Sequence, residues 1–219
     1  EAVVAPQVNA PDSPCCAEHL EQQLLPIGSW GSEYLAARSE PRGGSVEMWR
    51  IVAHQDDTVV NTTLPGELAS FSLNGGEYKE VFTAESYEIT ASAPVMVGQY
   101  LVSGQATEDG VGDPALIIVP PVSQLRSDYQ IIVPSDYMSN WVTIARMTGS
   151  RVSMDGVDVA ATAFSSFGSG DYELAWLAVE EGVHYFEGDD PFSLIVTGYS
   201  NAVSYGYPGG LNLRSDDSR

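Results

Sequence analysis

The sequence is short of positive charge, of cysteine and histidine, and of long apolar or helical runs. Against 30 acidic residues stand nine basic ones, of which Lys79 is the single lysine, giving a formal net charge of -21 and a pI near 4.1. Such a field repels phosphate backbones and anionic lipid headgroups, so neither nucleic-acid binding nor membrane-surface binding is expected. No stretch approaches the roughly 18 consecutive apolar residues of a membrane helix, so no membrane insertion is expected either. The chain opens on Glu1 rather than Met, and its leader "EAVVAPQVNAPDSP" reads as the extended start of an exported protein, extracellular or at the cell surface, whose signal peptide has been removed.

The two cysteines, Cys15 and Cys16, are neighbours. A disulfide between adjacent residues closes a small ring that distorts the intervening peptide, so they are expected to pair with partners outside this span, as intermolecular disulfides, or to stay thiols. Structural zinc wants about four ligands, and beyond "CCAEH" only His54 and His184 remain as soft donors. Helical spacing is confined to "AEHLEQQLL".

What is present is a core. The hydrophobic fraction is 43%, with four Trp and eleven Tyr, which separates this acidic chain from a disordered one. The chain also repeats itself. "WRIVAHQDDTVVNTTL" lines up with "WVTIARMTGSRVSMDG", placing Trp49 on Trp141 and Val60 on Val152; "GGEYKEV" matches "SGDYELA", Tyr78 on Tyr172. "APVMVGQY" matches "DPFSLIVTGY", Pro94 on Pro191 and Tyr100 on Tyr199, and "LLPIGSWGSEYLAA" matches "VPPVSQLRSDYQII", Pro26 on Pro121 and Tyr34 on Tyr129. The spacing drifts slowly along the chain, as loop-length changes between two copies of one unit leave it.

Within each half the period is two: short β-branched and aromatic runs are cut by Gly, Pro, Asn and Asp, with Asn-Gly and Asp-Gly as hairpin signals. The expected fold is all-β, two tandem, internally duplicated antiparallel β-sandwich units packed side by side with little helix. The expected boundaries are 1–20 for an extended segment with the vicinal cysteines, 21–118 and 119–210 for the two sandwiches, and 211–219 for a polar tail.

Candidate chemistry is sparse. His54 ahead of Asp56 and Asp57 reads as a strand end before an acidic turn. "GYSNA" resembles a nucleophile elbow, but that motif needs a following helix and a later histidine, and "VSYGYPGGL" supplies neither. Adjacent carboxylates are too common in so acidic a chain to mark a glycosidase pair. Calcium is the cofactor with the best case, through the hard oxygens of "TEDGVGDP", Glu108, Asp109 and Asp113. The cluster "GYSNAVSYGYPGG" offers Tyr199, Asn201, Tyr205 and Tyr207 as a ligand-binding surface, since tyrosines among small polar residues give rigid amphipathic contact area; the alternative is that they pack across the junction of the halves.

The stretches "EMWRIVAHQDDTVVNT", "GEYKEV", "SAPVMVGQYLVSG", "GVGDPALIIVPPVSQLRSDYQIIVPSDY", "VEEGVHYFEGDDPFSLIVTGY" and "SYGYPGG" resemble the N-terminal domain of IgGFc-binding proteins, in the version found in secreted multidomain bacterial proteins. The leader "CCAEHLEQQLLPIGSWGSEYL" resembles the start of that domain in myxobacterial examples. The resemblance spans about Cys15 to Gly210. It implies an extracellular, non-enzymatic β module, often joined to adhesive or cysteine-rich domains, with protein or glycan recognition as its role. It transfers no catalytic residue, and immunoglobulin binding is not carried over to a bacterial-looking, strongly acidic chain. Asp113 and Pro114, with Gly98 to Tyr100, carry over as structurally important.

The expected function is therefore a secreted or cell-surface, non-enzymatic module for adhesion or for recognition of a protein or glycan on a surface. The alternative is a structural protein, a spacer or a self-associating filament or matrix subunit. A carbohydrate-active enzyme stands third.

Overall fold

A computed structural model describes residues 19–213. The fold is all-β, built from two curled antiparallel sheets with one strand order. The first contains β1 (Gly31–Ala36), β2 (Glu47–Ala53), β3 (Thr58–Thr62), β4 (Ser70–Leu73), β5 (Tyr78–Thr83), β6 (Tyr87–Leu101) and β7 (Ala115–Val119). The second contains β8 (Arg126–Val133), β9 (Ser139–Met147), β10 (Val152–Met154), β11 (Val157–Asp158), β12 (Ser165–Phe167), β13 (Tyr172–Ala178), β14 (Gly182–Ser200) and β15 (Val203–Pro208). Among the described residues the only helical turns are short 3-10 turns such as Ile27–Ser29 and Val122–Gln124. The helical spacing of "AEHLEQQLL" is not realised: residues 19–26 are irregular. An isolated helix of nine residues is marginal in water, and here the segment lies along the first sandwich instead.

One long, bent strand makes each sandwich. The first part of β6 pairs with β1 and β3, and its second part with β2 and β7. The register jumps between them, Glu33 facing Thr90 but Gly31 facing Val95. β14 does the same between β8 and β10 on one side of its bend and β9 and β15 on the other, jumping from Glu187 to Phe192. A bulge of this kind bends the strand, so one strand serves both layers.

A tyrosine pins each bend. Tyr34 accepts a hydrogen bond from the Gly31 N–H and donates to the Val95 carbonyl. Tyr129 accepts from the Arg126 N–H at 2.9 Å and donates to the Phe192 carbonyl at 2.6 Å. Both are buried.

These paired tyrosines fix how the halves superpose, and they correct three of the pairings read from the sequence. Val97, two residues past Val95, faces Ile51, whereas Leu194, two past Phe192, faces Ile144. Ile51 therefore matches Ile144, Trp49 matches Val142, and Trp141 takes the place of Met48. A one-residue slip turns a side chain to the other face of the sheet. Trp49 fills the first core, edge-on to Tyr87 at 5.7 Å, while half-buried Trp141 packs on the opposite face with Leu101, Ile195 and Tyr199. By the same register Tyr100 matches Thr197, not Tyr199, and Tyr78 matches Leu174, not Tyr172.

The halves meet along a buried apolar junction. Leu35 and Ala37 of the first sandwich pack on Ala145 and Leu174 of the second, and Leu101 and Ile117 on Ile195 and Tyr199. β15 is bare at Gly206 because Ile117 lies there: a Cβ would sit 2.4 Å from its Cδ1. Polar ties join in, among them Trp176 Nε1–H to the Arg38 carbonyl at 2.9 Å and Ser169 N–H to Glu88 Oε1 at 2.7 Å.

Candidate functional site

Three groups of residues were expected to carry chemistry, and the structure distributes them differently. Tyr199 is a junction residue, fully buried, with the Arg42 guanidinium 3.7 Å above its ring; burial pushes its hydroxyl well above the ordinary tyrosine range. It is no part of a surface, because residues alternate along β14 and Tyr199 shares the face of Ile195 and Thr197. Asn201 is exposed in the β14–β15 turn, so "GYSNA" is a strand–turn–strand hairpin rather than a nucleophile elbow. Tyr205 and Tyr207 do stand together, half-buried, with ring centroids 5.9 Å apart, and Tyr137 packs edge-on to Tyr205 at 4.7 Å. Their hydroxyls are used internally: Tyr205 donates to Asn140 Oδ1 and Tyr207 to the Ile132 carbonyl.

The acidic loop closes around an arginine. Asp109 Oδ1 accepts hydrogen bonds from Thr107 Oγ1 and the Val111 N–H and lies 3.6 Å from Arg42 Nη1. Arg42 also donates to the carbonyls of Val111 and Val102. Glu108 is exposed beside Gly43, while Asp113 is buried and its N–H donates to Ser204 Oγ at 2.8 Å. The three carboxylates are not gathered, and among the described residues no three His, Cys, Asp or Glu side chains are placed to hold a metal ion. Cys15 and Cys16 lie outside the described residues.

His54 is exposed at the end of β2, 6.1 Å from the Trp30 ring, and the next residues form a turn in which Asp57 has a positive φ and Asp56 Oδ1 accepts the Gly75 N–H.

Sequence reasoning missed a groove of about 640 Å³ on the outer face of the sheet formed by β5, β2, β6 and β7. Arg50, Val52, Tyr78, Met96, Tyr100, Leu116 and Ile118 form its floor, with Trp30 and residues 20–24 along its rim. Arg50 is the cation of the floor. It donates to Glu80 Oε1 at 2.7 Å and lies 4.8 Å from the Tyr78 ring and 5.3 Å from the Tyr100 ring. Burial pulls against its charge, but the bond to Glu80 and the two tyrosines hold its pKa above the ordinary arginine value. A signal was present: "PVMVGQYLV" and "ALIIV" are apolar without alternation, which marks strands covered on both faces.

Sheet register gives the groove its meaning. The positions of Val52, Tyr78 and Gly98 in the first sandwich are those of Ala145, Leu174 and Ile195 in the second. In the second sandwich that face is closed by the first sandwich; in the first it is the groove.

A family model described as IgGFc binding protein matches residues 4–198. The chain belongs to the IgGFc binding protein family. The match runs through the first sandwich and into the second as far as Gly198, short of β15. No curated protein is similar to the chain at a significant level. A solved structure of an anti-sigma factor domain-containing protein aligns over 84% of this chain and 83% of that one at 10% identity, with a TM-score of 0.23, too remote to inform fold or function.

Proposed function

We propose that this chain is a non-enzymatic recognition module of an extracellular protein, and that it binds a protein partner through the groove on the outer face of its first sandwich. The observation that carries this reading is the inequality of two equivalent faces: one is closed by a neighbouring sandwich, the other lines a groove with exposed Tyr78 and a single guanidinium between tyrosine rings. Open aromatic-lined faces of that kind serve association, because Tyr, Met and Arg supply contact area and orientation together. The family description, IgGFc binding protein, also names a protein as the thing bound, and no described helix is long and apolar enough to cross a membrane.

Arrays of immobilised extracellular proteins, immunoglobulin Fc among them, and of glycans test the reading, with Tyr78→Glu as the comparison because Tyr78 is exposed on the groove floor. Binding of a protein that falls at least tenfold in Tyr78→Glu is expected. Binding confined to glycans overturns the choice of a protein partner, and binding indifferent to Tyr78→Glu overturns the choice of the groove.

A further inference from the structure

The second sandwich carries, exposed, the face by which the first sandwich docks. At the junction the first sandwich presents the outer side of β1 and the adjoining part of β6: Leu35 and Ala37 pack on Ala145 and Leu174, and Glu88 accepts hydrogen bonds from Ser169. The register pairs Leu35 with Glu88 and, in the second sandwich, Gln130 with Tyr185. Gln130 thus stands for Leu35, Ile132 for Ala37 and Tyr185 for Glu88.

The strip is more apolar than its counterpart at Ile132 and Tyr185 and more polar at Gln130, which stands where Leu35 does. Ile132 is 65% exposed, Tyr185 54% and their neighbour Val183 47%. Ile132 pairs with Val183 and Gln130 with Tyr185, so all of them lie on one surface, and the strip runs into the acidic pair Asp128 and Glu187. The groove of the first sandwich carries Arg50, bonded to Glu80, among apolar and aromatic side chains. The arrangement required to join the two faces already exists once within the chain, because the groove positions Val52 and Tyr78 are those of Ala145 and Leu174, on which Leu35 and Ala37 pack.

We infer that the groove's partner is a second copy of this chain, which seats the Ile132, Val183 and Tyr185 strip of its second sandwich on the first sandwich's open face. The inference rests on the groove being a protein-binding face. The contact repeats the internal junction between molecules. It joins two different surfaces, so it is heterologous, and unless the rotation closes a ring it extends head to tail. Residues 22–25 run beside Leu116 to Ile118 in the first sandwich, in the position that β7 itself holds beside β15 in the second. A net charge of -21 opposes association of copies, so the contact forms most readily where salt screens it.

Sedimentation velocity over a wide concentration range, at low and high sodium chloride, tests this with two variants at exposed positions. Ile132→Glu spoils the strip and keeps the groove; Tyr78→Glu spoils the groove and keeps the strip. The wild type is expected to grow in mass with concentration, without a plateau at the dimer, and more so at high salt. Each variant alone is expected to stay monomeric, while their equimolar mixture forms a dimer and nothing larger, because one good groove and one good strip remain. A wild type that stays monomeric throughout overturns the inference, as does a dimer that neither variant disturbs or that the mixture fails to restore. If the wild type is monomeric and yet captures another protein in a Tyr78-dependent way, the second copy is wrong and the groove reading stands; if it does neither, both fall.

Discussion

The two sandwiches share their strand order, their bent central strand and the tyrosine that pins it, yet differ in what lies on the outer face of one sheet. In the second sandwich that face holds Ala145, Leu174, Ile195 and Tyr199 and is closed by the first sandwich. In the first sandwich the equivalent positions hold Val52, Tyr78, Gly98 and Val102, and that face lines a groove in which Tyr78 is exposed. Duplication of a β unit thus leaves one docked face and one free one. The difference places the internal interface and the candidate external one at equivalent positions of a single fold.

The two tryptophans that align in the sequence repeat offer the sharpest way to break the comparison. Trp49 is wholly inside the first core, so Trp49→Ala removes a large buried ring and is expected to cost about 3–5 kcal/mol. Trp141 is half-buried on the opposite face, and Trp141→Ala is expected to cost about 1–2 kcal/mol. Equilibrium urea unfolding of both variants reads the difference. Equal losses sink the one-residue slip and restore the alignment that identity suggests.

Glu40 at the junction gives the next effect. It is 5% exposed, Thr197 of the second sandwich donates to it, and its Oε1 has no hydrogen-bond partner. Burial pushes its carboxyl from 4.5 up to about 8, only partly opposed by Arg42, while Glu47 adds to the rise. The folded chain therefore binds this proton more tightly than the unfolded one. The stability it contributes is complete below pH 4.5 and is lost as pH rises towards 8, at about 1.4 kcal/mol per pH unit at most. Glu40→Gln carries the proton's equivalent permanently, so it is expected to gain about 2–4 kcal/mol over wild type at pH 8 and little at pH 4.5. Thermal melts across that window check the slope; parallel curves for the two proteins refute it.

The fold class and the duplication were legible in the sequence because period-two alternation and punctuation by Gly, Pro and Asp report strands directly, and because Tyr34 and Tyr129 recur with their neighbours. Register was not. Trp49 and Trp141 are equally apolar, so identity cannot tell a side chain that faces its own core from one that faces the neighbouring sandwich. The tyrosine cluster was half-legible: composition marks Tyr199, Tyr205 and Tyr207 alike, but only the pairing of β14 with β15 separates buried Tyr199 from the other two. The acidic loop misled for a longer-range reason. Arg42 reaches Asp109 and Val111 from a connection far earlier in the chain, and no local pattern shows that a guanidinium stands where a cation was expected.

The smallest effect concerns one register position that the halves fill differently. Tyr87 and His184 both begin the inner side of the bent strand, facing Ala36 and Ile131 respectively. Tyr87 closes the first core with its ring. His184 instead makes a polar clasp: its Nδ1 is 2.7 Å from Asp155 Oδ2 and its Nε2 is 3.0 Å from the Glu180 carbonyl, while Asp155 Oδ1 accepts the Tyr185 N–H. Burial works against the imidazolium, but the Asp155 bond and the Glu180 carbonyl outweigh it and raise the His184 pKa; the His184 bond, with the Tyr185 N–H, lowers that of Asp155. A raised histidine contributes stability that is complete below its ordinary pKa and is lost as pH climbs through the raised one. Partly exposed pairs of this kind are worth about 0.5 kcal/mol. His184→Phe, which copies the first sandwich's solution, is therefore expected to fall slightly below wild type under mildly acidic conditions and to match or exceed it at alkaline pH. Denaturant midpoints on both sides of neutrality decide it, and a variant that loses the same amount at every pH assigns His184 to packing alone.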